Sequence, residues 1–541
     1  MSSRAINKTA LITGATSGIG LQCAHVLAAK AYDIVIIGSN PLKMEKAISE
    51  LQQYSVKVYP LVMDLSLPES AENVFNYCLE NHIEIDVLIC NAGISLGTTL
   101  INTNIEDIRR ILYLHIIHST LLCRLFGDKM RERKTGNILI VSSLTAYTPY
   151  PTMALYAASK RYLHSFSKSL RAELKPQGVN ISELCPGGVD TPIVSKKNFF
   201  IATAARLGVL SDPKDIAEES IKKMFRKKAK ITPCLFYRIL IFFLRFIPHS
   251  IVVFLYKHTS IFSNQKTKNS PTESYLYEAS TPPYALITGA CSGIGWSYAQ
   301  VLAKKGYHLV LVSNQEKKLE EKTKIIKNKY NIDVQNIYID LSQSNAATTV
   351  FQFCREKKLR IEILINNAGV YQAGYFLDMD KDKINNLLYL HTITLSKLCR
   401  YFGKMMQENK SGYILNMSSL ASWMPYPKIA VYAASKRYIK NFSRSLRTEL
   451  LPYNVSVITV APGAVNTDLL QLAPQYRNYA IKTGIMMSAD KVAKRSLSAM
   501  FRKKSFTTTK LINLISIPLL LLLPLRLIII IENKFKNIFI K

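Results

Sequence analysis

Thr13-Gly14-Ala15-Thr16-Ser17-Gly18-Ile19-Gly20 follows the apolar run at residues 10–12 and opens a stretch with helical spacing. Gly14 permits a tight turn, Gly18 lets backbone come close to a ligand, and Gly20 lets the helix lie against the strand. The first turn of such a helix offers unpaired N–H groups and partial positive charge, which suits a pyrophosphate. A single run of this kind could be a glycine turn with no ligand. This one returns as Thr288-Gly289-Ala290-Cys291-Ser292-Gly293-Ile294-Gly295, again between an apolar run and a helix.

The repetition extends along the whole chain. Asn91-Ala92-Gly93 returns as Asn367-Ala368-Gly369, Tyr156-Ala157-Ala158-Ser159-Lys160-Arg161 as Tyr432-Ala433-Ala434-Ser435-Lys436-Arg437, and Met224-Phe225-Arg226-Lys227-Lys228 as Met500-Phe501-Arg502-Lys503-Lys504. The offset is 275 for the glycine run and 276 for the others, so one complete domain is written twice. Strands are expected at residues 10–12, 34–37, 58–62, 87–90, 138–141 and 180–184. Their counterparts are 285–287, 309–312, 337–339, 363–365, 414–417 and 456–460. Near-continuous apolar strands alternating with helices imply a parallel sheet covered on both faces. The fold class is therefore α/β, with two doubly wound Rossmann-type domains in tandem. The expected boundaries are 1–220 for the first domain and 221–256 for a basic, apolar tail. A polar linker at 257–283, a second domain at 284–490 and a second tail at 491–541 follow.

Tyr156 and Lys160 stand four apart on an expected helix and so share one face. A free tyrosine titrates near ~10, and a neighbouring ammonium should lower that value towards a usable acid–base range. Ser143 lies thirteen residues before Tyr156, and Ser419 the same interval before Tyr432, ahead of Lys436. A serine hydroxyl there can hold a substrate oxygen while tyrosine passes the proton. An ordinary i,i+4 surface pair is the plainer reading of Tyr and Lys alone; the serine and the glycine turn, both duplicated, favour catalysis.

In the order of these motifs, together with Asp64-Leu65, Asp340-Leu341, Pro186-Gly187 and Pro462-Gly463, each repeat resembles the short-chain dehydrogenase/reductase family. The resemblance implies NAD(P)-dependent interconversion of a carbonyl and an alcohol, with Ser143, Tyr156 and Lys160, and Ser419, Tyr432 and Lys436, as catalytic residues. It further implies cofactor contacts from Gly14, Ser17, Gly18, Ile19 and Gly20 and from Gly289, Ser292, Gly293, Ile294 and Gly295. Asn91, Gly93, Pro186 and Gly187, with Asn367, Gly369, Pro462 and Gly463, complete the family's cofactor positions. Asp64 and Asp340 would touch the adenine, and Thr191 and Thr467 the nicotinamide carboxamide. Where the family carries a catalytic Asn, this chain has His115 and His391. A histidine could serve the proton relay, or it could be a packing residue on an apolar helix.

A carboxylate at the end of the second strand would favour NAD, and an arginine NADP. The aligned residues are Ser39 and Asn314, neither acid nor base, so with nothing to repel a phosphate the reading leans to NADP over NAD. No metal is expected: the nine cysteines include no Cys-x-x-Cys pair, and they suit a reducing, intracellular setting. The start of the chain shows no secretory signal.

The chain has 541 residues, with 70 Lys and Arg against 37 Asp and Glu, a net charge of +33. Much of this excess is concentrated at 220–272, with eleven bases and no acid, and at 491–541, with eleven bases and only Glu532. Each basic run borders apolar sequence, 235–256 and 511–531, interrupted by Arg and Pro. That pairing suits an interfacial segment on an anionic membrane surface better than a clean span. Cover over a substrate pocket and packing at a subunit interface are the alternatives; nucleic acid is disfavoured because the bases lie beside Leu and Ile. The resulting expectation is a membrane-associated oxidoreductase with two sites and a small, apolar, lipid-like carbonyl or alcohol substrate. A membrane scaffold or cofactor sensor with silent sites is the rival. By resemblance, the two copies could pair within one chain, or the chain could form higher homo-oligomers.

Overall fold

The computed structural model describes residues 7–189, 210–244, 247, 249–258, 277, 281–424, 426–467, 478, 480–481 and 486–508. Thr191 and the apolar run at 511–531 lie outside the described residues.

The first sheet holds β1 (Thr9–Thr13), β2 (Asp33–Gly38), β3 (Val58–Val62), β4 (Ile85–Cys90), β5 (Gly136–Val141), β6 (Val179–Leu184) and β7 (Lys230–Ile231), in the order β3-β2-β1-β4-β5-β6-β7. All neighbouring strands pair in parallel. The second holds β8 (Pro283–Thr288), β9 (His308–Ser313), β10 (Val334–Tyr338), β11 (Arg360–Asn366), β12 (Gly412–Met417) and β13 (Val455–Val460). A small parallel pair follows, β14 (Val465–Asn466) with β15 (Met487–Ser488), and then β16 (Phe506–Thr507). The second sheet is ordered β10-β9-β8-β11-β12-β13-β16. The expected doubly wound α/β class is therefore present twice.

Helices cover both faces, which is why β1 and β6 are buried along their whole length and why their runs are apolar without alternation. Truncating a central residue such as Ile12 or Leu139 to Ala would cost about 2–5 kcal/mol. The helix Pro213–Phe225, capped by Asp212, lays Ile216, Ala217, Ile221 and Met224 into the same core as Cys23, Ala24 and Leu27. In the second repeat Ala489–Phe501, capped by Ser488, does the same with Ala493, Leu497 and Met500 against Tyr298, Ala299 and Leu302.

The basic runs thus begin inside the domains. After each of these helices Lys227 and Lys503 turn at φ of 56° and 54°, and the chain re-enters the sheet as β7 and β16. These two strands were not among the sequence expectations: two residues are too short to leave a periodic signal.

By contact, the chain forms two compact units whose limits are not a single cut. The first is Met1–Gly97 and Glu106–Lys266 with Gly374–Asn385; the second is Thr98–Ile105, Thr267–Ala373 and Asn386–Lys541. Inside the first unit the Phe376 N–H donates to the buried Glu173 carboxylate at 2.7 Å. Inside the second the Leu100 N–H donates to the buried Glu449 at 2.8 Å.

Candidate active sites

In each sheet the strand order reverses between two central neighbours, β1 and β4 in the first and β8 and β11 in the second. A crevice opens at the carboxyl ends of strands at such a point. The glycine turn leaves β1 there, and Asn91-Ala92-Gly93 leaves β4 beside it.

Gly14 and Gly18 have φ of 65° and 57°, Gly289 and Gly293 64° and 53°, values that favour glycine. A Cβ on Gly14 would lie 2.9 Å from Ala92 Cα, and one on Gly20 would run into the Gly14 carbonyl oxygen and Asn91 Nδ2. Asn91 braces this turn, donating from Nδ2 to the Thr13 and Gly14 carbonyls at 3.1 Å each. Asn367 repeats both bonds to Thr288 and Gly289 at 3.0 and 3.2 Å. The asparagines therefore act on the crevice by holding the turn.

Ser17 and Ser292 precede the helices Gly18–Ala28 and Gly293–Lys304 in extended conformation and make no capping bond, so the first-turn N–H groups have no side-chain acceptor from them. Ile19 is buried and Ile294 packs against the core of its repeat. Thr467 packs its methyl group against Gly293.

Ser39 and Asn314 are exposed at the ends of β2 and β9. Burial alone would raise the Asp64 carboxyl, but hydrogen bonds from Ser66 and the Arg110 and Arg109 charges hold it below the usual range. Asp340 is exposed and accepts from Ser342. A glycine cradle that side chains would fill, an uncapped helix start and polar, exposed positions at the second strand fit a nicotinamide dinucleotide.

The candidate Ser, Tyr and Lys groups gather on the neighbouring strand ends. Ser143 follows β5, and its hydroxyl accepts the Thr145 N–H at 3.2 Å; Ser419 accepts that of Ala421 at 3.1 Å. Tyr156 and Lys160 lie on the helix Ala154–Leu174, Tyr432 and Lys436 on Ala430–Leu450. Side chains from the strand ends fix these helices: Ser142 donates to the Lys160 carbonyl at 3.1 Å, Ser418 to that of Lys436 at 2.8 Å. Pro186 and Pro462 accept from Leu144 and Leu420 at 3.0 Å each, tying the Pro-Gly loops to the serine segments.

Lys160 Nζ donates to the Val141 carbonyl at 3.0 Å and stands 5.6 Å from the Tyr156 ring centre; Lys436 Nζ donates to Met417 at 3.2 Å, again 5.6 Å from its tyrosine. Burial pulls Lys160 down to about 8 and Lys436 to about 7. Burial also raises both tyrosines, Tyr432 to about 12, while their hydrogen bonds to Ser143 and Ser419 act the other way. This corrects the expectation that lysine lowers the tyrosine. In the protein alone, burial is the largest influence on each phenol and outweighs the serine hydrogen bond. Each tyrosine is thus held protonated at neutral pH.

His115 and His391 are buried beside these groups. A Cβ on Gly93 would come within 3.0 Å of His115 Nε2 and 3.6 Å of Lys160 Nζ; on Gly369 the distances are 3.0 Å to His391 and 3.3 Å to Lys436.

Four residues at these sites escaped the sequence reading. Tyr371 packs edge-on to Tyr432 at 5.0 Å, where the first repeat has Ser95. Tyr237 stands so close to Gly187 that a Cβ there would enter its ring. Ser159 and Ser435, visible inside both Tyr-x-x-x-Lys motifs, pass for spacers until their hydrogen bonds are traced. The repeats also differ behind the serine. His164 Nδ1 meets Glu183 at 2.9 Å and Tyr147 at 3.2 Å in the first, whereas Lys440 lies over Trp423 at 3.3 Å in the second.

Each of the two doubly wound folds places Ser, Tyr and Lys beside its switch point. The family model for short chain dehydrogenase matches residues 8–200 and again 283–477, well over half the chain. The chain belongs to the short-chain dehydrogenase family and carries its domain twice.

Among its relatives, the "Probable oxidoreductase EphD" of Mycobacterium tuberculosis is 34% identical over 189 residues, 35% of this chain and 32% of that protein. The "Very-long-chain 3-oxoacyl-CoA reductase" of Rattus norvegicus is 34% identical over 193 residues, 35% of this chain and 61% of that protein. The matches thus span less than two thirds of either relative. A solved short-chain dehydrogenase from Sphingobium yanoikuyae in complex with NADPH is 29% identical, covering 42% of this chain and 88% of that one, with a TM-score of 0.39.

Proposed function

We propose that each repeat interconverts a carbonyl and an alcohol on an apolar substrate at a membrane surface, with NADPH preferred to NADH. The observation that carries this is the Ser–Tyr–Lys group at the switch point, intact in both repeats. A silent scaffold would not need all three groups twice.

The nicotinamide, when bound, supplies or accepts the hydride. In the reductive direction Ser143 or Ser419 holds the carbonyl oxygen and the protonated Tyr156 or Tyr432 gives it the proton, producing the alcohol. The buried Lys160 and Lys436 stand behind the tyrosines as groups able to titrate near neutral pH. Oxidation reverses these steps and needs the tyrosinate, so it gains with rising pH.

The preference for NADPH rests on the absence of a carboxylate at Ser39 and Asn314. In the second repeat the Lys318 and Lys322 charges also reach Cys291 in the glycine turn, a field favourable to a further phosphate.

Support for the apolar substrate and the membrane comes from the segment after β7. The helix Leu235–Leu244 buries Tyr237 and Ile241 but exposes Leu235, Phe236, Ile239, Phe242 and Phe243. The helix His249–His258 exposes Ile251 and Phe254. Each inserted Phe is worth about 1.5–3 kcal/mol, and the basic run around these helices complements an anionic lipid surface. Among the described residues no helix is long and apolar enough to cross a membrane. Ile241 packs with Ala146, Tyr147 and Cys185, so the lipid-facing helix also covers the segment after Ser143. The name of the rat relative, a reductase of very long chains, agrees with this class of substrate.

The test is NADPH oxidation with ketones of increasing chain length, with and without phosphatidylserine vesicles. The reading expects kcat/KM to climb with length and Phe242→Ser with Phe243→Ser to weaken vesicle binding. No NADPH oxidation with any carbonyl would overturn it.

Tyr371 supplies a second expectation. It buries Tyr432 and helps to raise it. Tyr371→Ser should therefore lower the Tyr432 pKa and move the rising, acid-side limb of alcohol oxidation by the second repeat to lower pH, measured with Tyr156→Phe in the background. An unmoved limb would exclude Tyr371 from that site.

A further inference from the structure

We propose that His115 and His391 are positioning residues: each clamps the loop after β4 or β11 to the catalytic helix through Ser159 or Ser435. The sequence left relay and packing open; the bonds define a third role.

The Ile94 N–H meets His115 Nε2 at 3.0 Å, and the Val370 N–H meets His391 Nε2 at 3.2 Å. A backbone N–H can only donate, so Nε2 holds a lone pair and the proton of the neutral ring is on Nδ1. Nδ1 then donates to Ser159 Oγ at 2.8 Å, or to Ser435 Oγ at 2.9 Å. The serine hydroxyl passes its own hydrogen to the Tyr156 or Tyr432 carbonyl, at 2.8 Å in both repeats. Every donor in the series has an acceptor, and both ring nitrogens are used.

The series starts on the residue after Asn-Ala-Gly and ends on the backbone of the tyrosine that moves the proton. It therefore sets the distance between the cofactor loop and the phenol. Each histidine is the third residue of a π-helical turn, Tyr113–His118 or Tyr389–Thr394, set into an otherwise α-helical segment. Such turns are frequent at functional sites.

The groups facing His115 are Lys160 and the Tyr156 ring, edge-on at 5.6 Å; those facing His391 are Lys436 and Tyr432 at 6.0 Å. Burial first, and then the lysine, disfavour the imidazolium, so the ring stays neutral and the donor order stays fixed.

The kinetic consequences rest on the carbonyl–alcohol reading; the tautomer does not. In the full chain with Tyr432→Phe, so that only the first repeat turns over, side-chain 15N spectra of histidine assign His115 by comparison with His115→Gln. The clamp expects the Nδ1–H tautomer with no titration between pH 5 and 9. Ser159→Ala should lower kcat roughly ten- to hundredfold, the cost of a misplaced reacting group, with KM for NADPH little changed. Adding His115→Gln should cost little more, because both break one series.

Titration of His115 in that range, an Nε2–H tautomer, or full activity in Ser159→Ala would overturn the proposal. Absence of turnover in the parent would sink the catalytic reading while the spectra still decided the clamp.

Discussion

With Tyr156 and Tyr432 both replaced by Phe, NADPH-dependent carbonyl reduction should fall by about 10²–10⁴-fold; either single replacement should leave the other repeat's share. Phe keeps the ring but removes the hydroxyl that bonds Ser143 or Ser419 and that, in the proposed reaction, would give the proton. The single variants should not be equivalent. Tyr156 is partly exposed, whereas Tyr432 is buried behind Tyr371. A substrate panel should therefore split between them, with bulky ketones favouring the first repeat. Loss of all activity in one single variant would mean that only that repeat works.

Gly20→Ala and Gly295→Ala are expected to have the next largest effect, and on binding instead of proton transfer. The new methyl group would meet backbone, the Gly14 or Gly289 carbonyl, together with the Nδ2 of the bracing Asn91 or Asn367. Relief requires the turn to open, since neither backbone nor a doubly bonded amide can step aside. The strain should cost about 1–3 kcal/mol and spoil the approach of a pyrophosphate to the helix start. Thermal unfolding with NADPH reads it: the stabilisation by ligand should be lost for the substituted repeat alone. Undiminished stabilisation would mean that the turn does not hold the cofactor.

Most of the fold was legible because apolar strands and glycine turns are local signals, and duplication let each repeat check the other. Residues 10–12 mark β1, and 58–62 coincide with β3. β7 and β16 were not legible, since their two residues pair only because the helices before them dock on the core. Of the site, Tyr156 and Lys160 could be set on one helix face by spacing, because a period of 3.6 puts i and i+4 together; Ser143, on another element, was reached only through the duplicated motifs and the family resemblance. The electrostatics could not be read in either way. Whether Lys160 lowers Tyr156 depends on how deeply both are buried, which no spacing encodes. The role of His115 depends on an N–H of Ile94, a donor that every residue but proline has.

The central claim is that one chain holds two competent nicotinamide sites. Equilibrium titration of the full, detergent-solubilised chain with NADPH tests it without a known substrate. Two equivalents bound per chain, reduced to one by either Gly20→Ala or Gly295→Ala, is the result predicted. One equivalent or none bound by the parent chain would contradict it.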